Sequence, residues 1–232
     1  MKLALIGHGA MGRLVETLAR AGGDEIGAIL TSKDSARNSD ELAALLRGHD
    51  VAIDFSAGAT IVAHVEACAR GAVPLVQGTT GWKDHEDDLR RFVEEHDGAM
   101  VYGANFSIGV NVFYRIVAEA ARLFAGLDQY EAFIEEQHHS RKIDAPSGTA
   151  LKLKSVMAEH GKNPISIAST RAGHVPGTHR VGFDSAADQI MLTHMARSRE
   201  GFAGGALLAA HWLIGRTGVY EFSDVIDEIL TK

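Results

Sequence analysis

One hexapeptide near the amino terminus limits what this chain can fold into. Gly7-His8-Gly9-Ala10-Met11-Gly12 follows the apolar run Leu3-Ala4-Leu5-Ile6 and opens a stretch, Met11 to Arg20, with Leu14, Val15, Leu18 and Ala19 on one helical face. A strand that passes through glycines straight into a helix begins a βαβ unit of a parallel sheet. In that setting Gly7 allows the tight turn, Gly9 lets the backbone approach a pyrophosphate, and Gly12 lets helix and strand pack closely. Free N–H groups at the helix start then hold the phosphates. His8, Ala10 and Met11 complete this cofactor loop, although His8 reads equally as a solvated loop histidine. Outside that setting the same glycines mean only a tight turn.

The alternation continues. Ile26–Leu30, Val51–Phe55, Val73–Gln77 and Ala99–Tyr102 read as strands, separated by helices at Asp40–Leu46, Thr60–Ala69 and Lys83–His96. This rhythm implies a parallel sheet with helices on both faces. It changes after Asn105. A long helix, Val110–Phe124, precedes β-like stretches at Tyr130–Gln137, Ile165–Thr170, His179–Phe183 and Gln189–Met195, with a helix at Thr149–His160 after the first. Strands clustered without helical crossovers imply a mixed sheet. Gly204–Ile214 reads as a helix, and Ser223 as the cap of a last one, Asp224–Leu230. The expected fold is α/β: a Rossmann-type parallel-sheet domain over 1–105, with a return at 212–232, and a smaller α+β substrate and oligomerisation domain with a mixed sheet over 106–211.

Composition excludes several functions. A net charge of −7 argues against general nucleic-acid binding, which needs a basic face. Cys68 is the only cysteine, so neither a disulfide framework nor a thiolate metal cluster is available. It sits at helical spacing from Ile61 and Val65 and reads as core. No apolar run is long enough to span a membrane, and Leu3–Ile6 is too short for a secretion signal, so a cytoplasmic protein is expected.

The cofactor reading extends to other loops. A dinucleotide site usually has an acid at the end of the second strand to bind the adenine ribose; here Thr31-Ser32-Lys33-Asp34 follows. Ser32 and Lys33 suit a 2′-phosphate better than a bare diol, so NADPH, or both NADPH and NADH, is expected. Lys33 also reads as a solvated loop lysine. Gly78-Thr79-Thr80-Gly81 follows the fourth strand and Asn105-Phe106-Ser107 the fifth. Sheet ligands bind beyond strand carboxyl ends, which puts both loops on the nicotinamide rim.

The stretch Glu135-Glu136-Gln137-His138-His139-Ser140-Arg141-Lys142-Ile143-Asp144-Ala145-Pro146-Ser147-Gly148-Thr149-Ala150 carries the chemistry. Histidine exchanges a proton near neutral pH. Lys142 can donate a proton or hold a carboxylate. Ser147, Gly148 and Thr149 stand at the mouth of a helix, an anion site. Together they suit a small anionic substrate that needs a proton, and no metal is expected, because no close acid–histidine pairing has ligand spacing. Read blandly, the histidines are solvated, Ser147 is only a cap, and His138, His139, His174, His179 and His194 are the candidate metal ligands.

The block from His138 to Ala150 resembles the signature of dihydrodipicolinate reductases, also called 4-hydroxy-tetrahydrodipicolinate reductases, of the diaminopimelate route to lysine. Gly7–Gly12, Gly78–Gly81, the run Asn105-Phe106-Ser107-Ile108-Gly109-Val110-Asn111, Arg171-Ala172-Gly173 and the stretch from Thr193-His194 to Gly205-Ala206 agree in order, so the resemblance covers nearly the whole chain. It implies His138 as proton donor and acceptor, Lys142 as proton donor, His139 as a substrate contact, and Gly148 and Thr149 as holders of a substrate carboxylate. It implies cofactor contacts at Gly7–Gly12, at Gly78, Thr79 and Thr80, and at Gly103, Ala104, Asn105 and Phe106. It also implies a small dicarboxylate substrate and a homotetramer assembled through the second domain's sheet. Three departures from the family pattern concern the adenine end: Thr31 stands where many members have an acid, Ala57 follows Phe55-Ser56 where many have an arginine, and Thr31–Asp50 is short. Two other readings remain open, a dehydrogenase of another amino or sugar acid and a non-catalytic NAD(P)-binding sensor.

Overall fold

Short strands rich in buried aliphatic residues build the first unit in the computed structural model, which describes residues 1–34, 36–161 and 164–231. Strands β1 (Lys2–Ile6), β2 (Glu25–Leu30), β3 (Val51–Asp54), β4 (Leu75–Gln77) and β5 (Ala99–Tyr102) alternate with helices α1 (Ala10–Ala21), α2 (Ser39–Leu46), α3 (Ile61–Arg70) and α4 (Glu86–Glu95). All of β3 and β4 is buried, as a parallel sheet covered on both faces requires. Helix α1 turns Gly12, Val15 and Ala19 inward. Asn38 and Glu41 form a reciprocal cap that starts α2. Cys68 lies in the core, where burial pushes its thiol pKa up and leaves it a packing residue. Among the described residues no helix is long and apolar enough to cross a membrane.

The chain returns to this sheet earlier than expected. It divides into two compact units, 1–107 with 199–232, and 108–198, so the return begins at Arg199 rather than 212. The cause is α7 (Glu200–Leu213), which packs against α1, β3, β4 and β5. Its buried face is Ala203, Gly205, Ala206, Ala209, Ala210 and Leu213, all but the last small, and small residues give a weak amphipathic signal. A Cβ on Gly205 would stand 1.7 Å from the Phe106 carbonyl oxygen, so only glycine permits this approach.

A sixth strand, β10 (Gly218–Glu221), pairs in parallel with β5 and completes the order β10-β5-β4-β3-β1-β2. The sequence reading missed it because four residues with one strong hydrophobe show no period. It runs straight into α8 (Phe222–Leu230), and the cap therefore falls on the last strand residue. Glu221, not Ser223, caps the helix, in a reciprocal pairing with Asp224.

The second unit holds α5 (Ile108–Phe124), β6 (Glu131–His138), α6 (Gly148–Ala158), β7 (Ser166–Arg171), β8 (Thr178–Asp184) and β9 (Gln189–Met195). Its sheet has the order β7-β6-β8-β9, with β6–β7 parallel and the other pairs antiparallel. Helices α5 and α6 cover one face. There Ile134, Val181 and Phe183 meet Phe113, Val117 and Leu153. Strand registers put Ser169, Glu136, His179 and His194 side by side on that same face, two residues beyond Ile167, Ile134, Val181 and Leu192. An apolar rung is thus followed by a polar one.

Candidate active site

Each functional loop of the first unit leaves the same edge of its sheet. Ile6, Leu30, Asp54, Gln77 and Tyr102, the last residues of β1 to β5, are mutual register partners. In the glycine loop, Gly7 has φ +89°, and a Cβ there would stand 2.5 Å from the Phe55 carbonyl oxygen. A Cβ on Gly12 would meet the Gly7 carbonyl oxygen at 2.0 Å, while at Gly9 it would meet nothing within 4 Å. The first and third glycines are therefore required by packing, and the second leaves open room beside the backbone. Gly9 caps α1 without a side-chain hydrogen bond, and no acid stands in the first turn, with Ala10 and Met11. These features fit the phosphates of a dinucleotide. His8 is tied back to α1: its Nε2 lies 2.7 Å from Glu16 Oε2.

An acid does reach the end of β2, three residues later than the usual position. Asp34 folds back through a short 3-10 turn, accepts the Thr31 N–H at 2.9 Å and pairs with Arg37 at 3.1 Å. Its carboxyl is held below the usual range by the Thr31 N–H first and Arg37 next. Ser32 and Lys33 lie within this turn. The sequence reading passed over Asp34; the signal was the spacing Thr31-x-x-Asp34 at a strand end.

Asp54 organises the rim beside the glycine loop. It has no exposed surface, and it accepts hydrogen bonds from the Ser56 N–H (2.8 Å), Gln77 Nε2 (3.2 Å) and Thr79 Oγ1 (3.1 Å) and pairs with His64 Nδ1 (2.8 Å). Burial alone would raise its pKa, but His64, Ser56 and Gln77 outweigh that and lower it. Thr79 is further held by Gln77 Oε1 on its N–H and by Ser56 N–H on its hydroxyl. Gly78 is required because a Cβ would enter the Phe55 ring, and Thr80 is exposed. Gly103 lies against Phe222, Ala104 is exposed, and Asn105 Oδ1 accepts the Ser107 N–H. The Phe106 ring is buried against Phe55 and Phe222, so only its backbone is left to face a ligand.

In the second unit the polar rung and the end of β6 meet the start of α6. Glu136 and His138, two apart on a strand, share a face, and His138 Nδ1 makes a short hydrogen bond with Glu136 Oε2. Arg171, the register partner of His138, donates to Glu136 Oε2 at 2.9 Å and to Oε1 at 2.7 Å. Burial pushes the Glu136 carboxyl up, but Arg171, Ser169 and His138 together bring it down to about 2. Burial lowers the His138 pKa; Glu136 opposes this, and the cations Lys142 and Arg171 reinforce it. His179, 5% exposed, is pushed down to about 4 by burial first and by His138 next. Its Nε2 lies 2.9 Å from Ser147 Oγ, which also accepts the Ala150 N–H and caps α6. Lys142 Nζ pairs with Asp144 Oδ1 at 2.8 Å. Gly148 stands open at the helix mouth, and Thr149 in the first turn is bonded to Tyr114. His139 follows His138, with its buried Nδ1 unpaired.

The sequence-derived residues His138, Lys142, Gly148 and Thr149 thus fall around one helix mouth. Glu136, Arg171 and His179 join them; only their place in the fold reveals it. Contrary to the sequence reading, an acid and two histidines do come together: the ligand atoms of Glu136, His138 and His179 lie within 4.8 Å of one another. Both Glu136 oxygens already face the Arg171 guanidinium, so a metal ion there would sit beside a fixed cation, and the donor set does not fit one.

Two family models match the chain: dihydrodipicolinate reductase, N-terminus, over residues 1–106, and dihydrodipicolinate reductase, C-terminus, over residues 109–226. The chain is 36% identical over 245 residues to 4-hydroxy-tetrahydrodipicolinate reductase of Christiangramia forsetii, covering 99% of both. It is 38% identical over 243 residues to the reductase of the same name from Anaeromyxobacter dehalogenans, covering 95% of this chain and 84% of that one. Among solved structures, dipicolinate-bound dihydrodipicolinate reductase from Paenisporosarcina sp. TG-14 superposes with a TM-score of 0.81 at 22% identity, over 97% of this chain and 98% of the other.

Proposed function

The chain belongs to the dihydrodipicolinate reductase family, and from that premise we propose that it is the NAD(P)H-dependent reductase that converts 4-hydroxy-tetrahydrodipicolinate to tetrahydrodipicolinate in the diaminopimelate route to lysine. The observation that carries the assignment is the cluster at the mouth of α6. A histidine, a lysine and the first two residues of a helix converge there, as a dianionic ring that must take up a proton requires.

The reaction adds a hydride and a proton and releases water. When bound, the nicotinamide cofactor supplies the hydride. Gly148 and Thr149 receive one substrate carboxylate at the positive end of α6. Lys142 and His139 answer the other. The planar dicarboxylate bound to the Paenisporosarcina reductase has the charge pattern that such an arrangement reads. His138 and Lys142 move the proton; burial lowers the pKa of His138 and so favours the neutral ring, which can accept a proton or pass one on. Proton handling of this kind is typically worth about 10²–10⁴-fold in rate.

Gly7, Gly9 and Gly12, with the first turn of α1, cradle the pyrophosphate, and Thr79 and Gly103–Phe106 line the nicotinamide rim. Both NADPH and NADH are donors in this reading: Ser32, Lys33 and Arg37 answer a 2′-phosphate, and Asp34 answers a ribose diol. A cytoplasmic homotetramer belongs to the same proposal. Its support is the sheet face that α5 and α6 leave uncovered, where the exposed Met191 and Met195 project.

A coupled assay tests the function. A synthase makes the unstable substrate in place from pyruvate and aspartate semialdehyde, and oxidation of NADPH and NADH is followed separately. Oxidation that depends on this protein is expected with both. No oxidation with either, alongside demonstrated cofactor binding, would overturn the assignment in favour of a sensor or a different substrate acid.

A further inference from the structure

We propose that Glu136, clamped by Arg171, is a positioning residue that holds His138 as its Nδ1–H tautomer and so leaves Nε2 as the nitrogen that exchanges protons. The inference rests on the reading of His138 as a proton-transfer group.

The starting point is local. Residues two apart on a strand project from the same face, so Glu136 must lie beside His138. The registers of β6 with β7 and β8 then surround Glu136 with Ser169, Arg171 and His179. Its side chain has no exposed surface. An ionised carboxylate only accepts hydrogen bonds. Arg171, always a donor, engages both oxygens, and the Ser147 N–H approaches Oε1 at 3.3 Å. The contact between Glu136 Oε2 and His138 Nδ1 therefore requires the hydrogen to sit on the histidine. Once Nδ1 carries it, a neutral ring has its lone pair on Nε2.

The surroundings of Nε2 agree. A Cβ at position 177 would stand 3.0 Å from it, so Gly177 keeps that side of the ring clear. The groups that face His138 are Glu136, Arg171, Lys142 and His179; Glu136, gripped by Arg171, fixes the ring, and among the described residues none makes a hydrogen bond to Nε2. Arg171 also donates to the Asp144 carbonyl, which ties the clamp to the loop that carries Lys142. A purely structural ion pair is the competing account. Such pairs add little net stability once their desolvation is counted, which leaves the role in orienting His138 as the one the geometry specifies.

Nitrogen-15 spectra of the full, histidine-labelled protein at neutral pH read the tautomer without cofactor or substrate, with His138 assigned by loss of its signals in His138→Gln. The expected result is a protonated Nδ1 and an unprotonated Nε2. In Glu136→Gln, whose amide can donate as well as accept, that preference should be lost. In the coupled assay its kcat should fall about 10–100-fold, the range for partners that orient a reactive group, with substrate KM and cofactor Kd within about twofold. Arg171→Lys, which keeps the charge but loses the two-point grip, should lower kcat by less, and it carries the kinetic test if Glu136→Gln does not fold. A wild-type His138 with its proton on Nε2, or a kcat unchanged by loosening the clamp, would overturn the proposal. Wild-type protein with the expected tautomer but no turnover would instead overturn the reductase reading.

Discussion

Lys142 Nζ lies 2.8 Å from Asp144 Oδ1, and the same carboxylate is bonded to the Gly148 backbone at the mouth of α6. A carboxylate of the chain itself therefore engages two of the groups assigned to a substrate carboxylate. The pair is half exposed, and such pairs contribute about 0.2–1 kcal/mol. Asp144→Asn should remove this competitor and tighten binding of a pyridine-2,6-dicarboxylate by about two- to fivefold, measured by calorimetry. Lys142→Ala should weaken the same binding and lower kcat by at least about 10²-fold. Weaker binding in Asp144→Asn would mean that Asp144 orders the loop rather than competing for it.

Gly177 faces His138 Nε2, and a methyl group there would press on the ring from 3.0 Å. Gly177→Ala should therefore displace His138 by a few tenths of an ångström and cost about tenfold in kcat, since small misplacements of reacting groups are expensive. Its melting temperature should hold or rise, because alanine at a position with ordinary φ restricts the unfolded chain. Loss of activity with retained stability, read from the coupled assay and a thermal melt, separates positioning from folding.

Asp54 is the buried centre of the rim beside the glycine loop. Asp54→Asn keeps the shape but removes the charge that faces His64 and turns one of the two acceptor oxygens into a donor, so that Ser56 and Thr79 on Oδ1 and Gln77 and His64 on Oδ2 can no longer all be served. Breaking one side of a buried pair costs about 3–5 kcal/mol. The variant should melt well below wild type and bind NADPH at least about tenfold more weakly. Asp54→Asn with His64→Asn should recover part of the stability, as read from the melting midpoint of the double variant.

The histidines of the second unit make stability depend on pH. His179 is pushed from 6.5 down to about 4. Between those values the unfolded chain binds a proton that the folded chain does not, so stability rises with pH across this window. It should fall on acidification from about pH 6.5 to 4, by on the order of 2–3 kcal/mol from this group alone. Glu136, held at about 2, adds a second loss as pH drops from its ordinary value of 4.5 towards 2. Urea titrations at several pH values would show the two steps, and His179→Gln should flatten the first.

Much of the fold was legible because its signals are local. The strand–glycine–helix order from Leu3 to Leu18 announces a parallel sheet, since apolar period and turn chemistry agree there. β10 was not legible: Val219 and Tyr220 form a strand only because β5 offers an open edge. The cap of α8 moved from Ser223 to Glu221 for the same reason. Alanine-rich α7 hid its allegiance, because small residues bury closely without marking a face.

The candidate site divides the same way. His138, Lys142, Gly148 and Thr149 stand close together in one stretch, so the chain alone determines that a histidine and a lysine lie beside a helix mouth. The tight turn at Gly7, Gly9 and Gly12 is equally a local property of backbone and φ. The partners of those residues are not local. Arg171 is 33 residues from His138 and reaches Glu136 only through the register of β6 with β7. His179 arrives through β8, and Thr79 meets Asp54 only because β3 and β4 are neighbours. Short-range spacing thus determines which reactive groups are present. Strand pairing, which joins residues far apart in the chain, decides which nitrogen of His138 is held and which carboxylate stays buried and charged.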